Sequence, residues 1–228
     1  MLHRLKQNIT AHPIAFALIF FLFYFAGFFG LERLVSQPKY ILYCGLDSLI
    51  PFNEWFIFAY AAWFVLIPWA LITLLIRDRR NYFYLCAVMF SGMAISLLIY
   101  LLFPNGVQLR PETIAGDNIA ARLVQLIWAV DTSTNVCPSI HVSTTVAIFF
   151  AVARSRVWQR RSLVVGVCGA VAVLICLSTM FLKQHSAIDV LCGAALTLLL
   201  HLLVSRLMAR SQPALQSGQA ERASVSHS

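Results

Sequence analysis

Six stretches of the chain are almost wholly apolar: residues 13–29, 54–76, 82–103, 139–154, 163–182 and 188–204. Apolar positions run on continuously within them instead of alternating, which predicts helices over strands. In lipid every backbone polar group must be satisfied inside a helix or a closed barrel, so long apolar runs predict spanning helices. A crossing takes about 20 residues, and the run over 139–154 is short for one. Pro68 stands inside the second run, where a kink is expected. Between the third and fourth runs, Ile119, Leu123, Leu126, Ile127 and Val130 recur at helical spacing. They predict a short helix over 116–130, lying at the membrane surface or on the bundle. The expected fold is all-α: a polytopic membrane helical bundle with about six transmembrane helices. Residues 1–208 form its single domain, and the polar stretch 209–228, rich in Ser, Gln and Ala, is expected to be a disordered tail. Arg4 and Lys6 ahead of the first run give it the outline of a secretory signal. No small-residue cleavage site follows and further spans do, so an uncleaved first helix is expected.

Composition agrees with this pattern. Of 228 residues, 60% are hydrophobic and 11% charged, where a soluble domain carries about 25% charged. The net charge of +8 does not point to nucleic acid, because the basic residues sit at the ends of apolar runs. Placing the N-terminus in the cytoplasm puts twelve Lys and Arg inside and five outside, which satisfies the positive-inside rule with both termini cytoplasmic. The 104–138 loop and the 183–187 loop then share the outer side, so His141 and His185 meet at one membrane face. A bacterial inner membrane, with the site on its periplasmic face, is the expected location. Cys86, Cys168, Cys176 and Cys192 lie inside apolar runs, and the six cysteines show no metal-ligand spacing. Cys44 and Cys137 lie outside the runs, but nothing in the sequence supports their pairing.

The chemistry gathers in Ser178-Thr179-Met180-Phe181-Leu182-Lys183-Gln184-His185-Ser186-Ala187-Ile188-Asp189-Val190. Lys, His and Asp within seven residues of so apolar a chain need a reason. If the second half is helical, His185 and Asp189 share one face. A carboxylate there would hold one ring nitrogen and leave the other free to attack. Polar residues of a short loop facing water are the plain alternative. Pro138 and Ser139 open the fourth run ahead of His141, and a helix N-terminus with a hydroxyl is a ready anion site. Arg110 offers a planar fork for phosphate oxygens. Two histidines near one phosphate would supply a nucleophile and a general acid. Lys183 adds positive charge, with snorkelling to the interface as its alternative role. Asp47, Asp131 and Asn135 are expected to cap helices or order loops, and His201 to pack or hydrogen-bond within the sixth run.

Arg110-Pro111, then Pro138-Ser139-Ile140-His141, then Ser178-Thr179 leading to His185 and Asp189 resemble the type 2 phosphatidic acid phosphatase superfamily. Its pattern is a basic residue spaced before Arg-Pro, then Pro-Ser-Gly-His, then Ser-Arg, five residues, His, three residues and Asp. Lys183-Gln184-His185, the bulky residue in Pro-Ser-X-His, and the features around Asp47–Phe52, Tyr60, Trp63, Asp131 and Asn135 look like the branch that includes inositol phosphorylceramide synthases. The likeness covers most of residues 47–195, with core motifs within 104–195. Three positions depart from the pattern: Phe103 stands where the first motif has a basic residue, Thr179 replaces the Arg of the third, and Ile140 replaces Gly.

The resemblance implies a membrane enzyme acting on a lipid phosphate without cofactor or metal. His185 would attack phosphorus, Asp189 would orient it, and His141 would protonate the departing oxygen. Arg110, Ser139 and Lys183 would hold the phosphoryl oxygens. The substrate would be a phosphatidic acid-like or polyprenyl diphosphate-like lipid, and the partners substrate and membrane lipids, with no nucleic acid. Hydrolysis is the favoured outcome. The alternative is a phosphotransferase that passes a phosphoryl-headgroup to an acceptor alcohol. A transporter, a bis-histidine haem protein and an inactive family member are the remaining rivals. A transporter would be expected to show charges near mid-membrane and repeated halves, and neither is present in the sequence.

Overall fold

The computed structural model describes residues 7, 9–35, 37–114 and 116–210. Its helices are α1 (Pro13–Leu34), α2 (Gly45–Leu49), α3 (Ile57–Arg77), α4 (Arg79–Leu102), α5 (Ile119–Val130), α6 (Ile140–Arg154), α7 (Arg161–Phe181) and α8 (Ala187–Arg210). A 3-10 turn, Glu54–Phe56, leads into α3. Two short parallel strands, β1 (Tyr40–Ile41) and β2 (Asn105–Gly106), pair Tyr40 with Asn105 and Ile41 with Gly106. Among the described residues, α1, α3, α4, α7 and α8 are long and apolar enough to cross a membrane. Their outward faces carry bare side chains such as Leu22, Phe23, Val65, Leu98 and Leu199, which only lipid would tolerate as a solvent. The chain is an integral membrane protein of the all-α polytopic kind. Of the expected tail, Ala209 and Arg210 complete α8, and 211–228 lie outside the described residues.

The short fourth run becomes α6, the centre of the bundle. It packs against α4, α7, α8 and α3, and Ala147, Ile148, Ala151 and Val152 are fully buried. Small and hydroxylated residues line these contacts, as close helix packing in lipid requires. The Thr197 hydroxyl, for example, donates to the Ser143 carbonyl at 3.0 Å. The lower end of α6 is fixed where the Ser155 hydroxyl donates to Asp78, the residue whose carboxylate also caps α4 through the Asn81 N–H. The fifteen residues of α6 rise roughly 22 Å, against about 30 Å of hydrocarbon. Its N-terminus, which carries His141, therefore stops short of the far membrane edge and leaves room for a recess.

The loops close over that recess. As expected, a helix (α5) forms between the third and fourth spanning stretches, beginning at Ile119 with the Asn118 side chain capping the Ala121 N–H at 2.9 Å. It lies on the bundle, against the 3-10 turn and α3, burying Ala120, Ala121 and Val124. Glu32, near the end of α1, accepts from the Thr132 and Thr134 hydroxyls and, at 3.0 Å, from the Asn135 amide. Gly106 sits where a Cβ would lie 2.6 Å from the Ser133 carbonyl oxygen, so only glycine lets β2 and this loop touch. Pro68 lies within an unbroken α3.

Candidate active site

The segment carrying His185 is built from the end of α7. The Gln184 N–H donates to the Thr179 carbonyl and the Lys183 N–H to the Met180 carbonyl, the paired bonds of a Schellman cap. That cap needs a left-handed residue, usually glycine. Lys183 fills it with φ 55°, a conformation costing a side-chain-bearing residue about 1–3 kcal/mol. In return its amine reaches the backbone carbonyls of Asp47, at 2.8 Å, and Ile50. Asp47 answers from the other side. One of its oxygens accepts the Ala187 N–H at 2.8 Å, and the other accepts the Ser186 hydroxyl at 2.6 Å and the Cys44 N–H at 2.8 Å. Burial would raise the Asp47 pKa, but these hydrogen bonds hold it below the ordinary carboxylate value. Burial lowers the Lys183 pKa, with the attraction of Asp47 acting against that. The small helix α2 thus staples down the turn between α7 and α8.

His185 precedes α8 instead of lying within it, so the expected one-face helical pairing with Asp189 is replaced by a cap. Ser186 and Asp189 form the start of α8: the Asp189 carboxylate reaches back to the Ser186 N–H at 2.9 Å, as in a capping box. The same oxygen, Oδ2, faces His185 Nδ1 at 3.4 Å, and Oδ1 is buried without a partner. The partner histidine is delivered by α6. Tyr100 donates to the Pro138 carbonyl at 2.6 Å, and the Asn105 side chain accepts the N–H groups of Val136 and Cys137. Ser139 caps α6 through the Val142 N–H, and its own N–H donates to the Asp189 carbonyl at 3.1 Å. A Cβ on Gly193 would stand 2.6 Å from the Ser139 carbonyl oxygen. Glycine at that position is what lets α6 and α8 approach closely enough for the two histidines to touch.

Five side chains then form one line. The Tyr60 hydroxyl donates to Asp131 Oδ2 at 2.7 Å and lies 2.8 Å from His141 Nε2. His141 Nδ1 lies 3.3 Å from His185 Nε2, and His185 Nδ1 faces Asp189. Four links need four protons. A phenol and two neutral imidazoles bring three, and ionised carboxylates bring none. With both carboxylates ionised, completing all four links would take one further proton. Gln184 Nε2 donates to Asp131 at 3.1 Å and the Ser186 N–H to Asp189. Burial lowers the His141 pKa to about 4, with the attraction of Asp131 acting against that and His185 adding to it, so the buried His141 ring resists carrying the further proton. The line sets one nitrogen positioned to attack, His185 Nε2, facing one positioned to donate, His141 Nδ1.

A cavity of about 150 Å³ opens on this line. Tyr24, Phe25, Phe28, Tyr60, Trp63 and Tyr100 supply aromatic walls, and Asp131, Gln184, His141 and His185 the polar ones. The Trp63 ring packs 4.5 Å from the His141 ring, while its N–H donates to Thr144 at 2.8 Å. Of the six site residues expected from sequence, His141 and His185 border the cavity and Asp189 stands directly behind. The other three are engaged elsewhere. Lys183 turns to α2, and the Ser139 hydroxyl caps its own helix. Arg110 donates to the carbonyls of Trp128 and Asp131, lies over the Trp128 ring, and reaches the Gln184 side-chain oxygen. Burial lowers its pKa, with Asp131 acting against that. Arg110 is thus one residue removed from the cavity. Phe103 is 56% exposed beside Tyr40, and the Thr179 hydroxyl donates to the Cys176 carbonyl, so neither substitutes for the missing base. Tyr60 and Asp131 are the residues whose place in the line sequence reasoning missed, along with Gln184, which borders the cavity and donates to Asp131. All the cysteines, Cys44 and Cys137 included, are free.

Fold and site together define an integral membrane helical bundle with a recessed His–His–Asp centre. The PAP2 superfamily matches residues 81–213, more than half of the chain, and the protein belongs to that superfamily of phosphatases and phosphotransferases. Neither the curated proteins nor the solved structures contain a match.

Proposed function

We propose that the protein is a membrane lipid phosphatase that hydrolyses a phosphate ester through a phosphohistidine on His185. The observation that carries this reading is the continuous line Asp131, Tyr60, His141, His185, Asp189 at the mouth of an aromatic cavity. A phosphoryl group entering between the two rings separates them. His185 Nε2 forms the P–N bond while the P–O bond to the lipid breaks, and His141 Nδ1 gives its proton to the departing oxygen. Water then attacks phosphorus, returns a proton to His141 and frees His185. Asp189 stabilises the cationic phosphohistidine. Asp131, beside Tyr60, favours the protonated form of His141 against the burial that lowers its pKa, and the charge of a bound phosphate adds to that pull. The Arg110 fork now held by Gln184 turns to the phosphoryl oxygens as charge develops. Lys183 and Ser139 act as positioning residues, holding the turn and the start of α6.

The basic residues at 77–80, 154–161 and 206–210 cluster at the end opposite the histidines. By the positive-inside rule this supports a site on the outer face with both termini in the cytoplasm, as in a bacterial inner membrane. A phosphotransferase of the inositol phosphorylceramide synthase-like kind is the second reading, favoured by Lys183-Gln184-His185. It shares the first half-reaction and differs only in whether an alcohol replaces water. Phosphate release from a panel of lipid phosphates by the purified protein, beside His185→Ala, tests the proposal. Release that disappears in the variant supports it, and equal release from both sinks it. If the wild type releases none but moves a labelled headgroup to a lipid alcohol, the protein is a transferase.

A further inference from the structure

A second hollow of about 600 Å³ runs along the lipid-facing side of the bundle between α1 and α3. The two helices each lean on α4 and leave a trough whose floor includes Tyr82 and Met93 of α4. Ala17 and Phe21 form part of one wall, Leu71 and Leu75 part of the other. Tyr24, Phe25, Trp63 and Phe64 border both this trough and the catalytic cavity, so the two adjoin, with these four rings between them. The polar ends of two large rings are turned out of the way: the Trp63 N–H goes to Thr144 and the Tyr82 hydroxyl to the Pro13 carbonyl.

Resting on the reading of the histidine pair as a phosphoryl site, we propose that this trough holds a hydrocarbon chain of the substrate, one longer than a membrane leaflet. Two features fix the occupant. The trough begins at Trp63, whose ring packs on His141, so whatever fills it is joined to the group that reacts there. On α3 it extends from Trp63 to Ile76, thirteen residues or roughly 20 Å of rise, whereas half of the hydrocarbon core is about 15 Å. A chain lying in it passes the bilayer midplane and ends near Ile14 and Ile76. Leu71, midway along, then sets how far a chain can reach.

The test uses the purified full-length protein in detergent and a long-chain alkyl monophosphate with a diazirine on its terminal carbon. Photolysis should label α1 near Ile14 and α3 near Leu75, and an unlabelled long-chain phosphate should remove the label. Labelling spread equally over α7 and α8, or unaffected by the competitor, overturns the proposal. In turnover, Leu71→Trp should lower kcat/KM for the long-chain phosphate at least tenfold and leave a short-chain, water-soluble phosphate within twofold. Leu71→Ala, which only removes volume, should leave both chains turning over and relax the preference between them. Equal losses on both substrates would overturn the assignment. Competed label at the trough without phosphate release from any substrate would leave the chain site standing and remove the hydrolase reading.

Discussion

The bundle holds two histidine clusters, one at each end, and they share a motif: an imidazole bonded to a tyrosine hydroxyl amid apolar side chains. At the basic end Tyr84 bonds His201 Nδ1, Phe150 stacks on the ring at 4.2 Å, and Arg154 lies 4.4 Å over Tyr84 while bonding Ser205. At the other end Tyr60 bonds His141. The difference lies in what comes next. His201 meets no carboxylate among the described residues, and a phenol with a neutral imidazole more than satisfies its single link. A neighbouring guanidinium opposes any added charge. His141 meets a second histidine, with a carboxylate at each end of the line, and the hydrogen bonds there cannot be completed without an extra proton. A tyrosine-bound histidine is thus ordinary packing. A proton-demanding line that opens on a cavity marks the candidate site.

The sharpest way to break this comparison is to remove the outer line's terminal groups. His185→Ala should abolish turnover, and Asp189→Asn should lower it by about 10²–10⁴-fold. His201→Ala should leave the rate within a few-fold and cost about 1–3 kcal/mol of stability through the orphaned Tyr84 hydroxyl. Rates and thermal unfolding of the three variants decide the matter; a rate loss in His201→Ala equal to that in Asp189→Asn would erase the distinction. Next in size is Tyr60→Phe, which cuts Asp131 from His141 and keeps the ring. A loss of about 10²-fold is expected, growing as pH rises through about 4, the value to which burial lowers the His141 pKa, because without the Tyr60 link to Asp131 the His141 ring holds its proton less well. A loss independent of pH would assign Tyr60 to packing alone.

Much of this arrangement was legible in the sequence. Length and continuity of the apolar runs give the helices because lipid leaves the backbone no other choice. His185 and Asp189 were legible because one turn of chain holds both, although the capping box, and not a shared helical face, aligns them. Tyr60 and Asp131 were not, since they are 71 residues apart and meet only when α3 and the loop before α6 converge. The side chain of Lys183 leaves the cavity for a local reason: its left-handed backbone aims it at α2. Arg110 and Ser139 were read by residue type, and type cannot tell a free fork or hydroxyl from one already spent on a loop or a cap. Gly193 occupies a position that no local pattern distinguishes, yet the contact of the two histidines depends on it. Gly193→Ala should push α6 from α8, costing about 1–3 kcal/mol as an overpacked contact does. Activity should fall further than that cost implies in heat stability, because the rings part. Full activity in this variant would show that the helices yield elsewhere.

The smallest effect separates the staple from the chemistry. Asp47 touches neither histidine, but it accepts two hydrogen bonds that bind α2 to the start of α8 and a third from Cys44 at the cap of α2. Its pKa is depressed in the folded protein. A depressed carboxylate contributes stability that is fully present above its unfolded pKa, about 3.9, and is lost as pH falls through the lower folded value. Asp47→Asn keeps the shape and one acceptor while removing the charge. At neutral pH it should therefore unfold at lower temperature than the wild type. The gap should narrow as pH is lowered below about 3.9, where the wild-type carboxylate also becomes neutral. Unfolding curves for both proteins across that range test this. A gap unchanged at the acid end would mean that Asp47 holds the turn by shape, not charge. Because the residue acts on the turn and not on phosphorus, the neutral-pH rate of Asp47→Asn should fall chiefly in proportion to the protein lost to unfolding.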